Sequence, residues 1–501
     1  MAVDSEIITV DESAPLLPQP QEDDGVGPRR LKGRTVTTIL ITCVFFAAFG
    51  AALSDLPILR ITEDAICRAH LKSVADKIDE SLCKDSDVQA ELSFIVAMIS
   101  MFQVIPGLVL GFPYGLLADR LGRRPVICLA VLGITLSIAW TMLVLNHIDY
   151  FGDIRLIWTA QIWLVIGGGN NVLVAVAYSI IADVEPAEKL SDAFFMLIVS
   201  ALVGNLLATF TSSWLMQIDP WIPCFLSLGI LTFSGLLLLF FPETLRSKPA
   251  ADVSDVEQES PASASFAASI RSRLSHLLAD IRQSTALIHS YPVMALLLTF
   301  LTTGSHARSL QFAPQYLSKN LGWSLSDAGM ALTAQVAANI ALYVFVIPSL
   351  SRLLTSPQLP FRLSPTMKDL YLARASGTLL AIGALLLAFP SAIAAVGGLM
   401  IFTLGLGFGT LCRVLVTALV DSNQTARLYT IISILNGAGE LSSGPAIAWL
   451  FKVGMKMGDG MCGLPFIAVA GVCAIAAVLV FTVQGSALTK DDSANEAEEE
   501  S

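Results

Sequence analysis

The sequence contains little charge. Only 14% of its 501 residues are charged, whereas 54% are hydrophobic. An average soluble domain has about 25% charged residues, and a soluble chain of this length would need several such charged surfaces. The mean hydropathy of +0.69 points in the same direction. The composition therefore excludes an ordinary soluble protein and indicates that lipid surrounds most of the chain.

Other residue types are scarce in ways that exclude further classes of protein. Acidic residues outnumber basic ones, 41 to 30, and the net charge of −11 argues against binding to nucleic acid. The eight cysteines are too scattered for a disulfide framework, and the five histidines never pair at the spacing of metal ligands. No lysine of the phosphate-binding type follows a glycine-rich loop. We therefore expect no metal, no cofactor, no ATP-driven machine and no enzyme.

Carboxylates are concentrated at the two ends of the chain. The first 28 residues carry seven and the last seventeen carry six, which together make 13 of the 41. Polar segments of this kind cannot bury enough apolar surface to fold. Residues 1–35 and 485–501 are therefore predicted to be disordered acidic tails in the cytosol.

Long apolar runs fill most of the remaining sequence. A helix that crosses the hydrocarbon core needs about 20 apolar residues, and twelve runs meet this requirement. They lie near residues 36–57, 91–113, 125–146, 156–181, 193–216, 221–241, 291–312, 325–350, 370–389, 392–419, 428–451 and 464–484. The sequence thus predicts an all-α membrane protein with twelve transmembrane helices. We expect two pseudo-symmetric six-helix bundles, 36–241 and 291–484, with a ligand cavity between them near mid-membrane.

The polar segment 242–290 separates the two sets of runs. Its residues Phe266, Ile270, Leu274 and Leu277 recur at helical spacing. This pattern predicts an amphipathic helix on the inner membrane surface, with a helix that binds a partner protein as the alternative. Under either interpretation the segment is a cytosolic linker.

The distribution of basic residues predicts the orientation of the chain. With a cytosolic N terminus, the inside segments carry 18 lysines and arginines and the outside loops carry nine. Cytosolic loops are enriched in these residues, which favours this orientation. It places the long loop 58–90 outside, where Cys67 and Cys83 either form a disulfide or remain thiols.

A basic loop follows the second run and reads Gly115-Leu116-Leu117-Ala118-Asp119-Arg120-Leu121-Gly122-Arg123-Arg124-Pro125. It resembles the signature loop of the major facilitator superfamily. Glycines 107, 111 and 115 would let the second helix approach a neighbour closely. We predict an ionic latch that closes the two bundles on the inside, and a plain topology signal is the alternative. The predicted latch residues are Gly115, Asp119, Arg120, Gly122, Arg123 and Arg124.

Further residues are similar to those of a fungal branch of this superfamily. They are Pro57, Glu63, Ile66, Cys67, Cys83, Gln89, Gly167-Gly168-Gly169, Pro242-Glu243-Thr244-Leu245 and Gln315-Tyr316-Leu317-Ser318-Lys319. Many members of this branch resemble efflux pumps or general-substrate transporters. The resemblance implies secondary active transport of a small organic solute, with proton-coupled efflux as the leading interpretation. Proton-coupled uptake and a membrane sensor without net flux are the alternatives.

Two positions depart from the pattern of proton-driven relatives. Trp163 stands in the fourth run where many of them carry an arginine. No Gly-Pro antiporter motif occurs around Gly204 and Asn205 in the fifth run. The direction of transport therefore does not follow from the motifs.

Ionisable side chains inside apolar runs are costly and mark substrate or proton pathways. Glu440, Asp55 and His306 are the candidates for proton coupling. Glu440 lies among glycines near the middle of the eleventh run, and its alternative role is a permanent ion pair with Arg413 or another base. Asp55 is close enough to the surface to cap a loop instead, and His306 titrates near neutral pH.

Other polar residues in the runs are candidates for the solute cavity and for an inner gate. Arg308 would bind an anionic group of the solute or extend its side chain to the membrane surface. Arg374 and Arg413 lie towards the cytosolic ends of their runs and are predicted inner-gate residues. The neutral cavity candidates are Gln103, Asn170, Asn171, Gln335, Asn339 and Asn436.

The expected partners are the lipid bilayer, a small organic solute and protons. We expect a monomer that crosses the plasma membrane several times, with vacuolar and endosomal membranes as alternative locations.

Overall fold

A computed structural model describes residues 33–71, 79–185, 187–243, 290–355, 365–420, 425–458 and 461–483. The predicted acidic tails and the predicted amphipathic helix of the linker lie outside these residues. Every regular element within the described residues is helical.

The described residues of the first bundle form eight α-helices and two 3-10 helices. The α-helices are α1 (Gly33–Leu53), α2 (Asp55–Leu71), α3 (Ser86–Leu121), α4 (Arg123–Asn146), α5 (Ile148–Phe151), α6 (Gly169–Val184), α7 (Ala187–Met216) and α8 (Trp221–Leu239). The 3-10 helices are Glu80–Lys84 and Ile154–Val165. Helix α1 packs against α7 and α8, and α4 packs against Ile154–Val165 and α6, around one apolar core.

The second bundle continues the numbering within the described residues. Its helices are α9 (Tyr291–Leu321), α10 (Leu325–Ala341), α11 (Ile347–Thr355), α12 (Pro365–Leu387), α13 (Ala392–Leu404), α14 (Phe408–Ala418), α15 (Thr425–Met457) and α16 (Leu464–Thr482), with a π-helical turn at Leu342–Val346. Helix α9 packs against α15 and α16, and α12 packs against α13 and α16. The two bundles meet along α3 with α15 and along α7 with α10.

The predicted all-α, two-bundle membrane fold is confirmed. Ten helical segments of the described residues are long and apolar enough to cross a membrane. Helices α9 and α15, 31 and 33 residues long, take the positions of the seventh and eleventh predicted spans and are not among these ten segments.

Several predicted boundaries were wrong. The predicted outer loop 58–90 is largely helical, because α2 covers Asp55–Leu71 and α3 already begins at Ser86. Helix α3 also extends eight residues past 113, and α9 extends nine past 312, in each case through a proline. Apolar runs in a sequence mark only the part of a helix that contacts lipid. The more polar ends of long helices are therefore predicted as loops. Neighbouring helices compensate for the proline breaks.

Two predicted spans are broken by glycines. The fourth, 156–181, changes from a 3-10 helix to α6 at Gly167-Gly168-Gly169, whose φ angles are +88°, +74° and +70°. Only glycine adopts this left-handed region without strain. The hydroxyl of Tyr114 accepts the Gly167 N–H at 2.8 Å and donates to the Val165 carbonyl at 2.9 Å, so the freed backbone groups are partnered. The tenth span, 392–419, divides between α13 and α14.

Candidate solute pathway and gating clusters

An ion pair lies at the centre of the second bundle, between α9 and α15. Arg308 Nη2 is 3.3 Å from Glu440 Oε2, and Arg308 Nη1 donates to Gln311 Oε1 at 3.2 Å. The Glu440 side chain is 37% exposed and the Arg308 side chain 16%. Glu440 is expected from the sequence to be a buried carboxylate and, in the alternative, to pair with Arg413 or another base. Its side chain is partly exposed, and the base it pairs with is Arg308, which does not extend to the membrane surface.

Glycines bring these two helices together. A Cβ atom on Gly304 would lie 2.6 Å from the carbonyl carbon of Gly439, and one on Gly439 would collide with the Leu301 carbonyl oxygen. Close approach through small residues is the usual basis of helix association in lipid. The backbones therefore touch, so Arg308, one turn beyond Gly304, can reach Glu440, which directly follows Gly439.

The amide side chain of Gln311 connects the ion pair to the first bundle. Ser100 Oγ, on α3, donates to the same Gln311 Oε1 at 2.8 Å. Gln311 thus accepts hydrogen bonds from the charged pair of one bundle and from a helix of the other. Arg308 therefore shares its acceptor with a contact between the bundles.

The predicted cavity residues are only partly assembled. Asn436 accepts a hydrogen bond from Thr303 beside the ion pair, and Asn171 lies against Gly107. Gln335 is buried, and the Asn339 Oδ1 atom is buried without a hydrogen-bond partner among the described residues. Gln103 and Asn170 are exposed, and no described hydrogen bond ties either of them to Arg308 or Glu440.

The other two proton-coupling candidates lie apart from the ion pair. His306 is 7% exposed and its ring lies 6.5 Å from that of Phe402, so it faces the apolar interior of the second bundle. Its Nδ1 atom has no partner among the described residues. Asp55 is exposed as the first residue of α2, where a negative charge is stabilised by the helix dipole.

The signature loop forms an ionic cluster between α3, α4 and α6. Asp119 Oδ1 is 2.6 Å from Arg123 Nη1, and Arg123 Nε is 3.1 Å from Asp183 Oδ2. The Glu243 carboxylate accepts the backbone N–H groups of Arg123 at 2.9 Å and Arg124 at 3.2 Å, and so caps the start of α4. Gly122 makes the bend between α3 and α4, with φ of +108°.

These described contacts stay within the first bundle, so a latch between the bundles remains a prediction. Arg120 and Asp119 are exposed. A Cβ atom on Gly111 or Gly115 would meet nothing within 4 Å, so the expectation of close approach along this glycine series is wrong except at Gly107. This end of α3 is called here the signature-loop end.

Sequence reasoning missed two carboxylates of this cluster. Asp183 and Glu243 lie 60 and 120 residues from Arg123. The available signal was the Pro242-Glu243-Thr244-Leu245 motif, which had been assigned only to the family resemblance.

The predicted inner-gate arginines show different surroundings. Arg374 Nη2 donates to the carbonyl oxygens of Val483 at 2.8 Å and Phe481 at 3.3 Å, and its guanidinium lies 5.2 Å from the Phe481 ring. These contacts hold the C-terminal end of α16, as basic side chains often do. Arg413 is exposed and forms no ion pair with any other described residue. A gating role for either arginine remains a prediction.

A charged cluster closes the opposite end of the molecule, called here the disulfide end because Cys67 and Cys83 are bonded there with 5.2 Å between their Cα atoms. Glu63, only 1% exposed, accepts hydrogen bonds from Lys84 Nζ at 2.7 Å, Gln89 Nε2 at 2.6 Å and Arg60 Nη1 at 3.2 Å. Gln89 Nε2 also donates to the Cys83 carbonyl at 3.0 Å.

Polar contacts join the two bundles at the disulfide end. Gln315 Nε2 donates to the Gln89 carbonyl at 2.8 Å, and Lys319 Nζ donates to the Lys84 carbonyl at 2.5 Å. The backbone N–H of Leu325 donates to Glu80 Oε1 at 2.8 Å. Within the described residues, these polar contacts therefore hold the two bundles together at the disulfide end.

One exposed group near the disulfide end resembles a metal site. His70, Asp85 and Asp87 place ligand atoms within 4.8 Å of one another. Asp85 already accepts the Asp87 N–H at 2.9 Å as the N-cap of α3. Helix capping therefore accounts for part of the grouping.

Two bundles of membrane-spanning helices that meet along α3 with α15 and along α7 with α10, with charged and polar side chains between them, are typical of a membrane transporter. The comparisons agree with this class. The family model of the Major Facilitator Superfamily matches residues 38–444, and the chain belongs to that superfamily.

Fungal transporters of this superfamily are similar along most of their length. The chain is 30% identical over 488 residues to the MFS efflux pump atnC of Emericella nidulans, covering 94% of this chain and 92% of the relative. It is 27% identical over 413 residues to the efflux pump ustT of Aspergillus flavus, covering 80% and 79%. The crystal structure of a D-xylose-proton symporter shares the fold, with a TM-score of 0.61 at 16% identity, covering 89% of this chain and 97% of that chain. The protein is thus a multi-pass membrane transporter that acts on small solutes.

Proposed function

We propose that the protein exports a small organic solute in exchange for protons. The observation that carries this proposal is the Arg308–Glu440 ion pair, whose carboxylate is partly exposed and which is hydrogen-bonded through Gln311 to the other bundle. The similarity to efflux pumps of two fungi supports the direction of transport. We further propose a monomer in the plasma membrane with a cytosolic N terminus, which puts the disulfide end outside.

The ion pair suits exchange because proton and solute would compete for the same two side chains. Charged Glu440 holds Arg308 and presents a partly exposed carboxylate to the pathway. Protonation removes the charge, weakens the ion pair and leaves the guanidinium free to shift. Since Gln311 accepts from both Arg308 and Ser100, that shift weakens a contact between the bundles. The signature-loop end would receive solute from the cytosol once Glu440 has released its proton, so that the proton and the solute are bound in turn.

The test is Glu440→Gln in proteoliposomes under an imposed pH gradient. The solute is first found by screening a panel of organic compounds for uptake into inside-out vesicles, and proton movement is followed with a trapped pH-sensitive dye. Because glutamine mimics the protonated carboxyl permanently, the variant should lose pH-driven accumulation but keep solute exchange across the membrane.

The matched control is Glu91→Gln, which removes the Glu91–Arg155 ion pair, 2.9 Å long, near the disulfide end. It should transport like the wild type. A Glu440→Gln protein that still accumulates solute against its gradient would refute the coupling role and leave Asp55 or His306 as the proton site. Accumulation only under the opposite gradient would indicate uptake, and binding without flux would indicate a sensor.

A further inference from the structure

We propose that the cluster at the disulfide end is a gate between the bundles and that the Cys67–Cys83 disulfide holds this gate in its closing geometry. The gate consists of Glu63, Glu80, Lys84 and Gln89 of the first bundle, together with Gln315, Lys319 and Leu325 of the second. The proposal does not depend on the identity of the solute, on the direction of transport or on proton coupling.

Glu63 is the organising residue of the gate. A carboxylate that is 1% exposed is costly unless it is fully paired, and Glu63 has three donors from three different side chains. Lys84 bridges Glu63 to Glu80, which lies 2.9 Å away. The cluster therefore fixes the positions of the segment that carries Glu80, Lys84 and Gln89.

That segment supplies the acceptors for the second bundle. Gln315 and Lys319 are four residues apart on α9 and so share one face. They bind the backbone carbonyls of Gln89 and Lys84, respectively. Glu80 accepts the N–H of Leu325, the first residue of α10, where a negative charge is favoured by the helix dipole.

The disulfide does not itself join the bundles. Cys67 and Cys83 tie α2 to the 3-10 helix Glu80–Lys84, whose carbonyls and carboxylate make the contacts with the second bundle. Both cysteines are fully buried and share one apolar cluster with Leu325 of the second bundle. Opening the disulfide end requires all of these contacts to separate together, because donors and acceptors lie on different bundles.

Hydrogen–deuterium exchange of the purified full-length protein tests the proposal. The peptide that covers 323–328 contains the Leu325 amide, whose only described acceptor is the Glu80 side chain. Treatment with the reductant tris(2-carboxyethyl)phosphine adds two electrons and two protons to the disulfide and gives two thiols. We expect exchange of this peptide to become about tenfold faster, as for the loss of one hydrogen bond to a charged group.

Two variants make the test specific. Gln315→Leu leaves the disulfide intact but removes a contact between the bundles, so it should also accelerate exchange at 323–328. Asn320→Ala is the matched control, because Asn320 donates to Tyr316 within α9 at 3.0 Å and should have no such effect. In Cys67→Ser/Cys83→Ser, exchange should already be fast, and the reductant should add nothing.

The proposal is overturned if reduction accelerates exchange only in 55–92 and leaves 315–328 unchanged, since the disulfide would then stabilise its own loop alone. It is also overturned if Gln315→Leu, like Asn320→Ala, leaves amide exchange at 323–328 unchanged. Should the double serine variant fail to fold, reduced wild-type protein and Gln315→Leu still decide between these outcomes.

Discussion

The contact between α9 and α15 makes a quantitative prediction for Gly304→Ala. The new methyl group would lie 2.6 Å from the carbonyl carbon of Gly439 and 2.9 Å from Glu440 Cα. Carbon atoms in good contact are about 3.5–4.0 Å apart, so the two backbones must separate by roughly 1 Å. Backbone atoms cannot swing aside as a flexible side chain can. The change should therefore also pull Glu440 away from Arg308.

The size of the effect follows from two opposing terms. Overpacking of this kind costs about 1–3 kcal/mol in free energy of unfolding. Replacing a helical glycine by alanine gains about 1 kcal/mol through helix propensity. The difference between Gly304→Ala and Gly111→Ala isolates the cost of overpacking. Gly111→Ala has the same gain in helix propensity, but a Cβ atom at Gly111 meets nothing within 4 Å. Gly304→Ala should thus be less stable than Gly111→Ala by about 1–3 kcal/mol.

Thermal unfolding of both variants in the same detergent measures this difference. We expect the Tm of Gly304→Ala to lie a few degrees below that of Gly111→Ala. Solute transport by Gly304→Ala should fall as well, because the displaced helix carries Glu440. Equal Tm values for the two variants would refute the close contact and, with it, the reason given for the pairing of Arg308 with Glu440.

Three further predictions concern the ends of the molecule. Asp119→Asn should leave the protein folded in the membrane, because the Asp119 side chain is 59% exposed and an exposed ion pair contributes less than about 1 kcal/mol to stability. Flux per molecule in vesicles should fall sharply. Flux at the wild-type level would mean that the loop is only a topology signal. Arg374→Gln should loosen the end of α16 by about 1 kcal/mol per lost hydrogen bond, seen as faster amide exchange near Val483, and unchanged exchange would contradict the anchoring role. The Ser81 N–H bond lowers the pKa of Asp79, so this cap is present at neutral pH and is lost as the pH falls through that lowered pKa. Because intrinsic amide exchange itself slows on acidification, the readout is the protection relative to that intrinsic rate. Protection of the amides in 79–85 should fall on acidification, and Asp79→Ala should remove this pH dependence.

The part of the fold that could be predicted from the sequence is the set of membrane spans, because contact with lipid requires apolar residues. Apolar runs revealed the spans because every spanning residue faces either lipid or other helices. Helix α2 was missed because its residues alternate between charged and apolar, as expected for a helix that lies over a buried charged cluster. The break in the fourth span was also missed, since three glycines in an apolar run do not distinguish a flexible helix from an interrupted one.

The candidate site could likewise be predicted only in part: its residues were identified, but not the contact between them. Glu440 and Arg308 were each identified, because charge in lipid is rare and costly. Their pairing could not be predicted, because they lie 132 residues apart and meet only where Gly304 and Gly439 let two backbones touch. Chemistry of single residues is visible in a sequence, whereas distances between helices depend on packing.

The interruption of the fourth span lets α6 move as a separate helix between the glycine break and the signature loop. Helix α6 is a short rod that starts at Gly169, directly before the cavity candidates Asn170 and Asn171, and its far end carries Asp183 against Arg123. Its near end turns on a joint of three glycines that Tyr114 of α3 holds in place. Any tilt of α6 about that joint would displace its other end beside the signature loop. The two ends of α6 are thus coupled without bending any helix.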